Sequence, residues 1–197
     1  MEPLSQYNEF VSKLKVASGN SDKIVFLLIA EPYNDAIGQY IGRIYRYLHF
    51  KTGKDLIFYC PGYFSGLKIR YNQEGFTQFV KEFESITSWK YRGEISLLMI
   101  HYKGGELQFN AVYELNLTRM QSDGLINNYR DFIERLIGEF FNTDNLIDSE
   151  YKKLQMESVL NNFTCYLPII VGRAFRRVSD NPQIHRHLKM QDIRKKA

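Results

Sequence analysis

The sequence predicts an α/β fold, on three observations. Ile24–Ala30 is continuously apolar and rich in β-formers, as in a central strand covered on both faces. Ile37, Ile41, Ile44, Tyr45 and Leu48 then recur at helical spacing, and a second short strand, Asp55–Cys60, follows. Strand, helix and strand in so short a span form a βαβ unit, with a right-handed crossover between parallel strands. Finally, Leu107, Phe109, Ala111, Tyr113, Leu115 and Leu117 alternate with Gln108, Asn110, Glu114 and Asn116, which predicts a strand with one buried face and one wet face, Val112 being the exception.

The remaining elements follow from period and punctuation. Leu4, Tyr7, Phe10, Val11 and Leu14 make an amphipathic helix over 3–17, stopped by the polar turn Ser18–Asp22. Asn34 or Asp35 caps the helix of the βαβ unit, Gly38 and Gly42 allow it close approach to the sheet, and Gly53 ends it. Cys60-Pro61-Gly62-Tyr63 places Pro and Gly where a type II turn needs them. A loop, Phe64–Gln73, leads to a helix over 74–88 with Phe76, Phe79, Val80, Phe83 and Ile86 on one face. Ile95–Tyr102 is the third strand, and Lys103-Gly104-Gly105-Glu106 is a hairpin signal. Helical period returns over 125–141 through Tyr129, Phe132, Ile133, Leu136, Ile137 and Phe140, and again over about 146–161 and 163–178, broken near Pro168. The expected organisation is an N-terminal helix (1–23), an α/β core (24–141), a C-terminal helical extension (142–180) and a basic tail (181–197) that is separable after Asn181-Pro182.

Composition bounds the function. The chain has 197 residues, 44% of them hydrophobic and 24% charged, so disorder and a disulfide scaffold are disfavoured. Two cysteines, Cys60 and Cys165, lie in apolar stretches and are expected to be buried thiols. No basic and apolar leader opens the sequence and no apolar run approaches the ~20 residues of a membrane span, so the expectation is a cytoplasmic protein. The sequons at Asn116 and Asn162 then carry no meaning. Between Arg173 and Ala197 there are eight basic residues against two acidic ones, and the rest of the chain is close to neutral.

The order β-α-β-α-β-β-α over 24–141, parallel first and then an antiparallel hairpin, resembles the thioredoxin-like fold. In that family a Cys-x-x-Cys sits where the first strand enters the first helix, and a cis-proline precedes the third strand. Of the matching stretches here, Ala30–Ala36 holds no cysteine and Trp89–Glu94 holds no proline. The resemblance therefore implies a redox-inactive version, because thiol exchange needs a thiolate.

Few residues offer chemistry. Glu31, Tyr33 and Asp35 lie at the end of the first strand, where α/β sheets bind ligands, and form the best polar cluster. Glu31 and Asp35 would serve as an acid/base pair, or Glu31 as a ligand for a sugar hydroxyl. Against this, Asn34 and Asp35 cap a helix and Glu31 favours its dipole, which accounts for every one of these residues except Tyr33. His101 and Cys60 end neighbouring strands and would form a nucleophilic pair only if they met in space. No glycine-rich loop joins a strand to a helix, so P-loop and Rossmann nucleotide binding are excluded. His185 and His187 lack further ligands for a zinc site, and neither metal nor cofactor is expected. The function expected is a non-catalytic protein-interaction module, a subunit of a homo- or hetero-complex. Its C-terminal helices present Phe163, Tyr166, Ile169, Phe175, Arg173, Arg176 and Arg177, and they carry more apolar side chains than one small sheet can bury. The alternative is a small enzyme acting on a nucleotide-like or other small substrate through the first βα loop, with Glu31, Tyr33, Asp35 and His101 as candidates. Nucleic-acid contact through the basic tail is the less favoured partner, since only Phe175 interleaves the charges.

Overall fold

The computed structural model describes residues 6–18, 22–31, 56–64, 70–138 and 186–195, which include an α/β arrangement around a five-stranded mixed sheet. The chain divides into two compact units, 1–119 with 188–197, and 120–187. In the first unit the elements are α1 (Gln6–Ser18), β1 (Lys23–Ile29), β2 (Leu56–Tyr59), β3 (Tyr63–Phe64), β4 (Arg70–Tyr71), α2 (Gln73–Ile86), β5 (Ser96–Lys103), β6 (Glu106–Asn116) and β7 (Leu188–Gln191). The helix α3 (Leu117–Ser122) crosses from the first unit to the second, and α4 occupies 129–138.

The sheet runs in the order β2-β1-β5-β6-β7. β1 and β2 are parallel, with Ile24 opposite Leu56 and Leu27 opposite Tyr59, as the βαβ pattern requires. β5 lies antiparallel to β1, and β6 antiparallel to β5. Both faces of β1 are buried, which is why its sequence does not alternate. On one face Val25, Leu27, Ile29, Leu98, Ile100 and Tyr102 pack against Phe10 and Leu14 of α1 and Phe76, Phe79, Val80 and Phe83 of α2. Phe79 is the hub of this layer, its ring 5.7 Å from Phe10 and from Tyr59, 5.9 Å from Tyr7 and stacked at 6.0 Å on Phe83. Much of the aromatic content of the described residues meets here, in tilted, stacked and edge contacts.

The apolar stripe of α2 behaves as expected except at its end. Ile86 is 39% exposed, because Thr87, four residues after Phe83, takes the inward position and is buried. The expected loop 64–73 contains the short antiparallel pair β3–β4.

The alternating residues within β6, Leu107 to Leu115, do not share one face, and Leu117 already opens α3. Met99 pairs with Tyr113 but His101 pairs with Gln108, so two steps along β5 answer five along β6. The odd number of extra residues makes a bulge and reverses which side chains point to which side. Leu107, Phe109 and Val112 therefore join the helix-covered layer, while Tyr113 and Leu115 are buried outside it. Val112, the flaw in the alternation, marks the bulge.

The segment expected to be a separable tail is part of the sheet. β7 pairs with β6 from Val112↔Gln191 to Leu115↔Leu188. Beyond it Ile193, 2% exposed, enters the core layer; its N–H donates to the carbonyl of Phe109 in the bulge (2.9 Å), and its carbonyl accepts from the N–H of Ser88 (2.8 Å). Two basic residues of this segment are engaged, Lys195 donating to the Ser85 carbonyl of α2 at 2.9 Å and Arg194 pairing with Asp192.

In the second unit, a Schellman ending closes α3, with Leu125 N–H donating to Met120 O (2.9 Å), Gly124 N–H donating to Gln121 O (3.0 Å) and Gly124 at φ 68°. The helix expected from 125 starts at 129 instead, because Asn128 caps it: its Oδ1 accepts from Asp131 N–H at 2.8 Å while its Nδ2 donates back to Asp131. Phe132, Ile133, Leu136 and Ile137 are buried on one stripe. The βαβ helix expected over 35–52, the helices over 146–161 and 163–178, and the domain boundaries at 141 and 180 lie outside the described residues. No helix among the described residues is long and apolar enough to cross a membrane.

Candidate functional site

Parallel pairing brings the carboxyl ends of β1 and β2 to one edge of the sheet, so Ala30-Glu31 and Cys60-Pro61-Gly62 emerge side by side. Tyr63 N–H donates to Cys60 O at 3.3 Å and Gly62 sits at φ 79°, as a type II turn demands. The Gly62 carbonyl accepts from Asn72 N–H at 2.7 Å, which draws the start of α2 onto this turn. Asn72 caps α2 through its side chain, which accepts from Gly75 N–H at 3.2 Å.

Gln73, the first residue of α2, is the centre of the polar cluster. Its Nε2 donates to the Glu31 carboxylate, and its Oε1 accepts from the Tyr71 hydroxyl at 2.9 Å. The ring of Tyr63 lies 5.1 Å from that of Tyr71. The Tyr63 hydroxyl is buried and, among the described residues, has no hydrogen-bond partner. Burial, and then the neighbouring Cys60 and Tyr71, push its pKa up, so it stays protonated. Burial also pushes the Cys60 thiol up, which removes it as a nucleophile at neutral pH. The arrangement is a surface chain of carboxylate, carboxamide and phenol over a buried phenol and thiol.

Glu31 thus sits at the expected edge and accepts from Gln73 of α2, while the helix whose dipole it is expected to favour lies outside the described residues. Gln73, Tyr71 and Tyr63 were not candidates from the sequence. The Pro-Gly turn and the Asn72 cap are the signals that bring them here, since the Asn72 N–H bonds to the Gly62 carbonyl and holds the start of α2 beside the turn. Tyr33 and Asp35 lie outside the described residues, as do Cys165, His185 and the partner-binding candidates Phe163, Tyr166, Ile169, Phe175, Arg173, Arg176 and Arg177.

His101 does not join this cluster. It pairs with Ile24 at the opposite end of β1, whereas Cys60 follows the Leu27↔Tyr59 pair. Four residues along the strand and two strand spacings put them on the order of 15 Å apart, which rules out a Cys-His pair. His101 is buried with Asp22 Oδ2 3.9 Å from its Nε2. Burial holds its pKa down, with Lys103 in the same sense and Asp22 opposing. A stability consequence follows. The unfolded chain takes up this proton near pH 6.5 and the native state refuses it, so stability from this residue is complete above that pH and is lost as pH falls towards the lower native pKa. Urea midpoints at pH 7, 6 and 5 are expected to fall more steeply for the wild type than for His101→Gln; equal slopes would remove His101 as the cause.

No group of three His, Cys, Asp or Glu among the described residues is placed to hold a metal ion. His187 instead meets Asp123 at 3.1 Å. The sequon at Asn116 is structurally committed: Asn116 Nδ2 donates to Glu94, its Oδ1 accepts from Arg119 N–H at 2.9 Å, and Thr118 Oγ1 accepts from Ile95 N–H at 2.8 Å. The hydrogen bond from Arg119 is the first cause that keeps the Glu94 carboxyl below its usual range. Compared with known protein families, with curated proteins and with solved structures, the chain matches none.

Proposed function

We propose that the chain is a redox-inactive, thioredoxin-like α/β module, intracellular and non-catalytic, that works as a subunit of a homo- or hetero-complex. The observation that carries this reading is the dispersal of the chemistry-bearing side chains among the described residues. Glu31 is engaged by Gln73, Cys60 is a buried high-pKa thiol, and His101 is buried at the far end of the same strand. The sheet supports the class assignment, since β1 and β2 are parallel and β5 and β6 form the antiparallel second half. The proposed binding surface is the segment 163–177, helical by sequence expectation, with Phe163, Tyr166, Ile169 and Phe175 as apolar anchors and Arg173, Arg176 and Arg177 at their rim. Light scattering at tens of micromolar is expected to give at least twice the chain mass, and Tyr166→Asp with Ile169→Asp is expected to return it to the monomer. A monodisperse wild-type monomer sinks the homo-oligomer. The hetero-complex fails if what co-purifies from the native cell is unchanged by the same two substitutions.

One observation favours the second reading, a small enzyme using the first βα loop. The Tyr63 hydroxyl is a buried polar group that no described residue satisfies, which costs about 1–3 kcal/mol unless something bonds to it. Tyr63→Phe separates the two readings. If nothing binds there, the variant melts at the wild-type temperature or slightly above. If a small polar ligand does, a compound panel stabilises the wild type and leaves Tyr63→Phe unmoved.

A further inference from the structure

We draw no further inference here: the strongest candidate, the buried Tyr63 hydroxyl at the carboxyl ends of β1 and β2, which no described residue hydrogen-bonds, belongs to the site already described, and nothing in the structure shows what molecule would reach it.

Discussion

Deleting Leu188–Ala197 is expected to lower the thermal midpoint by more than ~10 °C, at about 2–4 °C per kcal/mol for a chain of this size, or to abolish folding. The deletion removes the strand that covers β6 and the Ile193 side chain from the core layer. Burying an isoleucine contributes about 2–3 kcal/mol, and each lost hydrogen bond about 1 kcal/mol. The bulge carbonyl of Phe109 and the N–H of Ser88 would also lose their partner. Circular dichroism melts decide the matter, and a shift below ~3 °C would mean that the segment is only appended. Ile193→Ala is the finer probe, since it keeps the strand and removes only the plug; it is expected to cost about 2–4 kcal/mol in urea.

Gly62→Ala should cost about 3 kcal/mol, a large effect for a single methyl group. Two costs add. At φ 79° the backbone strains any L side chain, by about 1 kcal/mol. A Cβ there would also lie 2.8 Å from Phe76 Cβ, 2.8 Å from Tyr71 Cε2 and 3.0 Å from Asn72 O. The tyrosine ring can swing away, but Phe76 Cβ is fixed on a capped helix and Asn72 O accepts the first bond of that helix. Gly105→Ala is the control: its φ is 87° and nothing lies within 4 Å of the added atom. Urea unfolding of both variants should show Gly62→Ala losing about two to three times as much stability as Gly105→Ala. Equal losses would mean that the turn has room to open and that the clasp on α2 is not tight.

What the sequence made legible was what local pattern alone decides. The all-apolar run of β1, the Phe76–Phe83 stripe and the Pro61-Gly62 turn each carry their own physical cause, and each appears in place. Where long-range pairing decides, the pattern was silent or misleading. Leu188–Gln191 is too short to display a period, and its lysine and the charges around it resemble a solvated tail until β6 supplies a partner. Val112 broke the alternation visibly, but an interruption in one strand does not say how many residues its neighbour skips. The polar cluster was half legible. Glu31 could be placed at a strand end by its position after β1, whereas Gln73 had no reason to stand out from the other polar residues until the Gly62–Asn72 bond brought its helix to the same edge.

The late arrival of β7 has a consequence for how the molecule is made. Residues 117–187 must all be synthesised between β6 and the strand that pairs with it. At ~5 to 20 residues per second, the nascent chain spends several seconds with the rest of the sheet available and the flank of β6 open. That flank holds Val112, Tyr113 and Leu115, an apolar template on which two unfinished chains can pair. Yield in the cell should therefore respond to the speed of translation and to chaperone supply more than native stability would suggest. A bulky fusion at the C-terminal end would aggravate the delay, and the same fusion at the N-terminal end would not.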